Sequence, residues 1–491
     1  MKYISTRGDS REYTASAAII SGLADDGGLF VPKSLPKMDT DVASLLNKGY
    51  KEIAYEVMKL FFTDYSEEEL RGCIERAYDQ KFDTEEIAPL RECGGQHFQE
   101  LFHGPTIAFK DMALSILPHL LTCALKKNGI SDRVVIMTAT SGDTGKAALA
   151  AFDSVPGTQI IVFYPKGGVS PIQERQMVTQ TGTNTKVVGV RGNFDDCQTS
   201  VKTMFSDLAL KEELANKGCR FSSANSINIG RLIPQVAYYV YAYVRMVEKG
   251  AISDGKPLDF VVPTGNFGNI LAAFYAKKLG LPIGKLVCAS NENKVLYDFF
   301  NTGKYDRRRK FILTSSPSMD ILISSNLERL IYHSLGDDAT KNAELMKKLV
   351  SEGYYEVDES SRKYMDDFVG IFANESQVKD TIKYYYDSCG YVIDTHTAVA
   401  AYANLQHKKN DSTKSVVIST ASPYKFTRNV LSAIDPGLIS GDDLEMADAL
   451  SKISKVPIPK AVTHLRDAKI IHDNVCDISD MPDVVKEFVS L

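Results

Sequence analysis

Beyond residue 95 the chain repeats one pattern: a short run apolar at every position, a loop of Gly, Ser, Thr or Asn, then an alanine-rich stretch with helical spacing. The clearest runs are Val134-Val135-Ile136-Met137, ahead of Ser141-Gly142-Asp143-Thr144-Gly145, and Phe260-Val261-Val262, ahead of Gly265-Asn266-Phe267-Gly268-Asn269. Ile160-Ile161-Val162-Phe163, Lys186-Val187-Val188-Gly189-Val190, Leu286-Val287-Cys288 and Val416-Val417-Ile418 read the same way. Runs apolar on both faces and separated by helices predict parallel strands covered on both sides. The body is therefore an α/β fold with doubly wound, mostly parallel sheets, whose ligands are expected at the carboxyl ends of the strands. Residues 1–95 differ. Apolar positions spaced by 3 and 4 in Val42-Ala43-Ser44-Leu45-Leu46 and from Ile53 to Leu60 predict an extra N-terminal, mainly helical domain. The charged stretch 300–390 reads as a helical insertion, and the tail from about 435 as helix again. Three units result: 1–95, an α/β domain 96–250, and a second α/β domain 251–491 that carries the insertion.

Composition narrows the partners. With 491 residues, 44% of them hydrophobic, the chain can bury several cores, which excludes disorder as its main state. A net charge of −5 and no basic block longer than Arg307-Arg308-Arg309-Lys310 argue against a nucleic-acid or membrane-surface role. A small molecule is the expected partner, bound by a monomer or homodimer. The eight cysteines are nowhere closer than 20 residues, so no CxxC metal or redox pair exists and no metal is expected. Scattered thiols, a start without an apolar signal core and the lack of any membrane-length apolar window predict a soluble cytoplasmic protein.

Two kinds of segment carry candidate chemistry. In Phe102-His103-Gly104-Pro105-Thr106-Ile107-Ala108-Phe109-Lys110-Asp111, Gly-Pro breaks the chain and an apolar run opens into a helix with Lys110 in its first turn. The positive helix end and the apolar company both disfavour an ammonium, so this lysine should lose its proton easily, as imine formation with an aldehyde cofactor requires. A snorkelling lysine whose head pairs with Asp111 or reaches solvent fits the same segment. Thr138 to Lys146 and Gly265 to Asn269 each follow a strand and open a helix, so N–H groups, hydroxyls and a dipole converge on any anion. Neither is a nucleotide fingerprint: Thr140 and Ala147 break the Walker pattern around Gly145-Lys146, and the second loop is not GxGxxG. Tight turns with Gly for sterics and Asn as a cap are the alternative. Taken together, two anion cradles and one easily deprotonated lysine suit pyridoxal phosphate with an anionic substrate.

The segment His103 to Asp111 resembles the pyridoxal-lysine segment of the threonine synthase family, within the fold-type II pyridoxal-phosphate enzymes. Gly22-Leu23 with Asp26-Gly27-Gly28-Leu29-Phe30-Val31-Pro32 is similar to that family's N-terminal signature, and Ser141 to Gly145 sits where its substrate loop belongs. Tyr164 to Ser170, Asn225 to Arg231 and Asp394 to Val399 are also similar, so the resemblance covers nearly the whole chain. It implies a carbon–oxygen lyase of threonine biosynthesis that turns O-phospho-L-homoserine and water into L-threonine and phosphate, by γ-elimination and β-addition of water. A phospho-lyase that expels phosphate but releases a 2-oxobutyrate-type product is the alternative.

The resemblance also implies roles. Lys110 would bind the cofactor covalently and then shuttle protons. Gly265, Asn266, Phe267, Gly268 and Asn269 would wrap the cofactor phosphate. Thr420 would be the hydroxyl partner of the pyridine nitrogen, with a strand-end cap as its alternative. Thr140, Ser141 and Thr144 would receive the substrate carboxylate. Many relatives carry Asn where this chain has Asp143, so Asp143 is expected to share a proton with the cofactor's phenolate oxygen or to turn outward onto the loop backbone. Asn193, Asn225, Asn228 and Arg231 are candidates for the substrate phosphate, against turn, cap or surface ion-pair roles. His396 is either a proton donor or a helix-start histidine satisfied by its neighbours.

Overall fold

The computed structural model describes residues 1–140, 142–169 and 171–490. Two sheets form its body. One has six strands in the spatial order Phe368–Phe372, Ile283–Ser290, Leu258–Pro263, Ser415–Ser419, Gln96–Glu100 and Leu90–Cys93. Its neighbours are parallel except the last pair. The other has five strands, all parallel: Val475–Asp477, Thr185–Arg191, Thr158–Pro165, Arg133–Ala139 and Cys219–Ser222. Every residue of Leu258–Pro263, Thr158–Pro165 and Ser415–Ser419 is buried, as sheets covered on both faces demand. The six strands expected from apolar runs are all present, and so is the mostly parallel α/β architecture.

The chain does not visit the sheets in the order that the apolar runs suggest. Gln96–Glu100 and Leu90–Cys93 lie in the six-stranded sheet beside Ser415–Ser419, not with Arg133–Ala139. At the far end, Val475–Asp477 leaves the helical tail to add an edge to the five-stranded sheet, pairing Val475 with Gly189. Gln96–Glu100 escapes the pattern because His97, Gln99 and Glu100 are polar yet buried. Two of them have a specific use: Gln99 Nε2 donates to Tyr238 O at 2.7 Å, and Tyr391 OH donates to Glu100 at 2.8 Å.

The N-terminal region is mainly helical, with Ala15–Ser21, Val42–Leu45, Tyr50–Phe61 and Glu67–Ala77, and one antiparallel ribbon of Tyr3–Ser5 with Phe30–Pro32. Ser66 and Glu69 form a reciprocal capping box at the last of these helices. Tyr50–Phe61 packs on Pro234–Glu248, a helix begun by proline and buried along almost its whole length. The segment 300–390 is helical only in part, holding a ribbon of Lys304–Asp306 with Tyr354–Glu356 and the sheet edge Phe368–Phe372. Cys93 and Cys389 form a disulfide across 296 residues of sequence, a pairing no short spacing announces, while the other six cysteines are free. Among the described residues no helix is long and apolar enough to cross a membrane.

Candidate active site

Lys110 stands immediately before a helix of only four residues, Asp111–Leu114. One turn supplies little dipole. Burial is what holds its ammonium below the ordinary value; Asp143 opposes the effect, and Lys425 and Arg231 add to it. The seat is built by neighbours. Asp111 accepts from Thr106 N at 2.8 Å and from Thr106 Oγ1 at 2.6 Å, so it is not the partner of the Lys110 head. Phe109 N donates to Thr420 O at 2.7 Å, which ties the lysine segment to the carboxyl end of Ser415–Ser419, with Thr420 itself buried.

The Lys110 amine meets a polar cluster. Its Nζ lies 3.7 Å from Asp143 Oδ2 and 3.5 Å from Ser318 Oγ, and Ser318 Oγ donates to Asp143 Oδ2 at 2.8 Å. Lys425, with a fully buried side chain, reaches Asp143 Oδ1 at 3.2 Å and Thr106 O at 2.9 Å. Gln173 Nε2 also donates to Asp143 Oδ1, at 2.9 Å. Burial alone would raise the Asp143 carboxyl, yet Lys425 and Lys110 outweigh it and hold it far below the ordinary carboxylate range. Asp143 therefore faces inward, toward Lys110, Lys425, Ser318 and Gln173, not outward onto the loop. His396, in the first turn of Thr395–His407, accepts the Ser318 N–H on Nε2 and is held at Nδ1 by Asp394. It is a satisfied helix-start histidine.

Both anion loops occupy strand-to-helix junctions. After Arg133–Ala139, Thr140 Oγ1 accepts from Gly142 N at 3.0 Å and Gly145 N at 2.9 Å, folding the loop onto the helix Asp143–Phe152. Gly142 takes φ 135°, and a Cβ there would lie 2.4 Å from the Gln173 side chain. Thr144 is half-buried at the same helix start, whereas Ser141 falls outside the described residues. In the second loop, Ser324 Oγ donates to Gly265 O at 2.7 Å and Asn326 Nδ2 to Asn266 O at 2.9 Å. Phe267 is left-handed, with φ 65°, just before the helix Gly268–Leu279; its buried ring against Phe300 and Phe368 holds that strained backbone. A Cβ on Gly265 would sit 2.7 Å from the Ser318 carbonyl, so Ser318 is the common neighbour of this loop and of Lys110.

The candidates for a substrate phosphate separate. Arg231 is buried, not in a surface ion pair: Nη1 donates to Ala224 O at 2.7 Å, Nε has no hydrogen-bond partner, and burial lowers its pKa to about 10. Asn225, half-buried, shares a turn with Asn228. Asn228 uses its side chain to hold backbone, donating to Ile19 O and Ser223 O and accepting from Gly230 N. Asn193 is exposed and caps its own helix through Asp196 N at 2.9 Å, so its side chain is committed away from the Lys110 cluster.

Sequence reading missed Ser318, Lys425, Gln173 and Arg329. Arg329 is wholly buried; its guanidinium donates to Phe30 O at 2.8 Å, Ile227 O at 2.5 Å and Asn326 Oδ1, joining the N-terminal ribbon to the second loop. None of these four carries a local signal, because each acts mainly on groups far away in sequence.

The site fits a phosphorylated aldehyde. Asn269 Oδ1 accepts from Tyr239 OH at 2.6 Å and from Tyr238 OH, while its Nδ2, buried at the helix start, has no hydrogen-bond partner. An unpaired amide donor at a helix N-terminus is a ready anion site. Ser318 links this loop to a buried amine, that of Lys110, disfavoured as an ammonium.

Known proteins bear on this geometry. The family models Threonine synthase N terminus, Pyridoxal-phosphate dependent enzyme and Threonine synthase, C-terminal match residues 2–78, 91–421 and 397–475. The chain is 38% identical to threonine synthase of Schizosaccharomyces pombe, over 88% of each. It is 41% identical to human threonine synthase-like 1 over 85% of its own length, but spans only 58% of that protein. The structure of pyridoxal-phosphate-bound threonine synthase from Brucella melitensis superposes with a TM-score of 0.88 at 34% identity, covering 100% of both chains. The lysine seat, the two junction loops and these matches along the length of the chain lead to one assignment: it belongs to the threonine synthase family of pyridoxal-phosphate-dependent enzymes.

Proposed function

We propose that the chain converts O-phospho-L-homoserine and water into L-threonine and phosphate. The observation that carries this is the buried, easily deprotonated Lys110 amine, with Arg231 near it and with Ser318 linking it to the second anion loop, where Asn269 keeps an unpartnered donor. Pyridoxal phosphate, when bound, supplies an electron sink for carbanion chemistry. Lys110 would tether it, and the backbone and amides of Gly265, Asn266, Phe267, Gly268 and Asn269 would hold its phosphate. The Thr420 hydroxyl would face its ring nitrogen without a full charge.

Thr140, Thr144 and the loop N–H groups would orient the substrate carboxylate, a task for donors with no counter-charge of their own. Arg231, with Asn225 beside it, would take the substrate phosphate; its free Nε suits a group that must later leave. The Lys110 amine would remove and return protons at Cα and Cβ, since one uncharged base has to serve neighbouring carbons in turn. Water would then add at Cβ. We read the chain as three units, the helical N-terminal region and two α/β domains, acting as a cytoplasmic monomer or homodimer.

Incubation of the holoenzyme with O-phospho-L-homoserine tests the reading, with phosphate and organic product assayed together. Equal amounts of phosphate and threonine are expected. Phosphate with 2-oxobutyrate selects the phospho-lyase, and no phosphate release overturns both.

A further inference from the structure

Two lysines face one carboxylate, and they share it unequally. Lys425 Nζ is 3.2 Å from Asp143 Oδ1, whereas Lys110 Nζ is 3.7 Å from Oδ2. The side chains of Lys425, Asp143 and Lys110 are 0%, 6% and 13% exposed, so water screens none of them well. Lys425 is anchored on its other side by Thr106 O, inside the turn that presents Lys110. The remaining charges near Lys110 are Arg231 and Asp111; His396 also faces Asp143, and Lys146 stands beyond Lys425.

We propose that Lys425 is a positioning residue for the Lys110 amine: by holding Asp143 Oδ1 it keeps that carboxylate from closing on Lys110 and leaves the amine uncharged for attack. The proposal rests on the role given to Lys110 above. Its physical basis is competition. A lone buried carboxylate within ~4–6 Å stabilises an ammonium by one to three pH units, and a second cation on the same carboxylate cancels much of that pull. Lys425 and Asp143 thus form a near-neutral pair, and Lys110 is left with the cost of burial.

The test uses protein stripped of cofactor and follows capture of added pyridoxal phosphate by absorbance from pH 6 to 10, so that catalysis is not the readout. K425M is expected to raise the pH midpoint of capture by about one unit or more, K425R to return it toward that of the unsubstituted protein, and D143N to lower it. K425M and D143N combined should fall between the single variants. Borohydride reduction and peptide mapping of the unsubstituted protein keep the two readings apart. A label on a lysine other than Lys110 removes the reading beneath the proposal. A label on Lys110 with an unmoved midpoint in folded K425M overturns the proposal alone. Should K425M fail to fold, D143N decides: a midpoint at or above that of the unsubstituted protein overturns it.

Discussion

His396 Nε2 accepts the backbone N–H of Ser318 at 3.1 Å, across 78 residues of chain. Asp394 holds the opposite ring nitrogen at 2.8 Å, so the imidazole has one orientation and one acceptor, aimed at the turn Pro317–Met319. That turn carries the hydroxyl touching Asp143 and the carbonyl lying against Gly265. One histidine therefore fixes Ser318, whose hydroxyl neighbours Lys110 and whose carbonyl lies against the second anion loop.

His396→Ala should cost about 1–3 kcal/mol of stability, because it leaves the Ser318 N–H without its acceptor. It should also loosen cofactor retention. Thermal unfolding with and without pyridoxal phosphate measures both, and retention equal to that of the unsubstituted protein would speak against this pinning of Ser318.

Asn269→Asp keeps an acceptor for Tyr238 and Tyr239 but replaces the unpaired amide donor with a negative oxygen. The fold should persist while retention of pyridoxal phosphate drops by at least tenfold, equivalent to about 1.4 kcal/mol. Dialysis followed by absorbance reads the loss. A protein that stays yellow would remove Asn269 from the phosphate site.

His119, in the helix Leu117–Lys127, sets part of the acid limb. Burial, with Arg76 and Lys81, lowers its imidazole from 6.5 to about 4. Between those values the unfolded chain binds a proton that the folded chain refuses, so stability falls as pH drops through this window and levels off below it. His119→Gln should flatten that part of a melting-temperature profile from pH 7 to 4. A profile unchanged in slope would count against the assignment.

Arg329→Met removes three hydrogen bonds from the junction between the N-terminal ribbon and the second anion loop. A loss of about 3 kcal/mol is expected, since several acceptors stay buried without a donor. Amide exchange should rise around Phe30 and Asn326 together. Exchange rising at one alone would mean that Arg329 does not couple them.

Much of this could be read from the residues, for a clear reason. The six apolar runs became strands because burial on both faces admits few other structures, and Lys110 announced itself as a cation in apolar company. What stayed hidden depends on distant partners. Gln96–Glu100 looks like surface until Tyr238 and Tyr391 satisfy it. Lys425 is one lysine among many until the fold sets it on Asp143. Asparagines were the hardest: a cap and a ligand use the same short amide, and Asn193 and Asn228 turned out to hold backbone while Asn269 kept a donor free.

The path of the chain through its two sheets has a consequence for anyone who divides it. Cleavage between Cys219–Ser222 and Leu258–Pro263 would leave the first fragment holding Leu90–Cys93 and Gln96–Glu100, which belong to the other sheet, and the second holding Val475–Asp477, owed to the first. Neither piece would own a finished layer. The halves should regain structure only when mixed, each lending the other its missing edge.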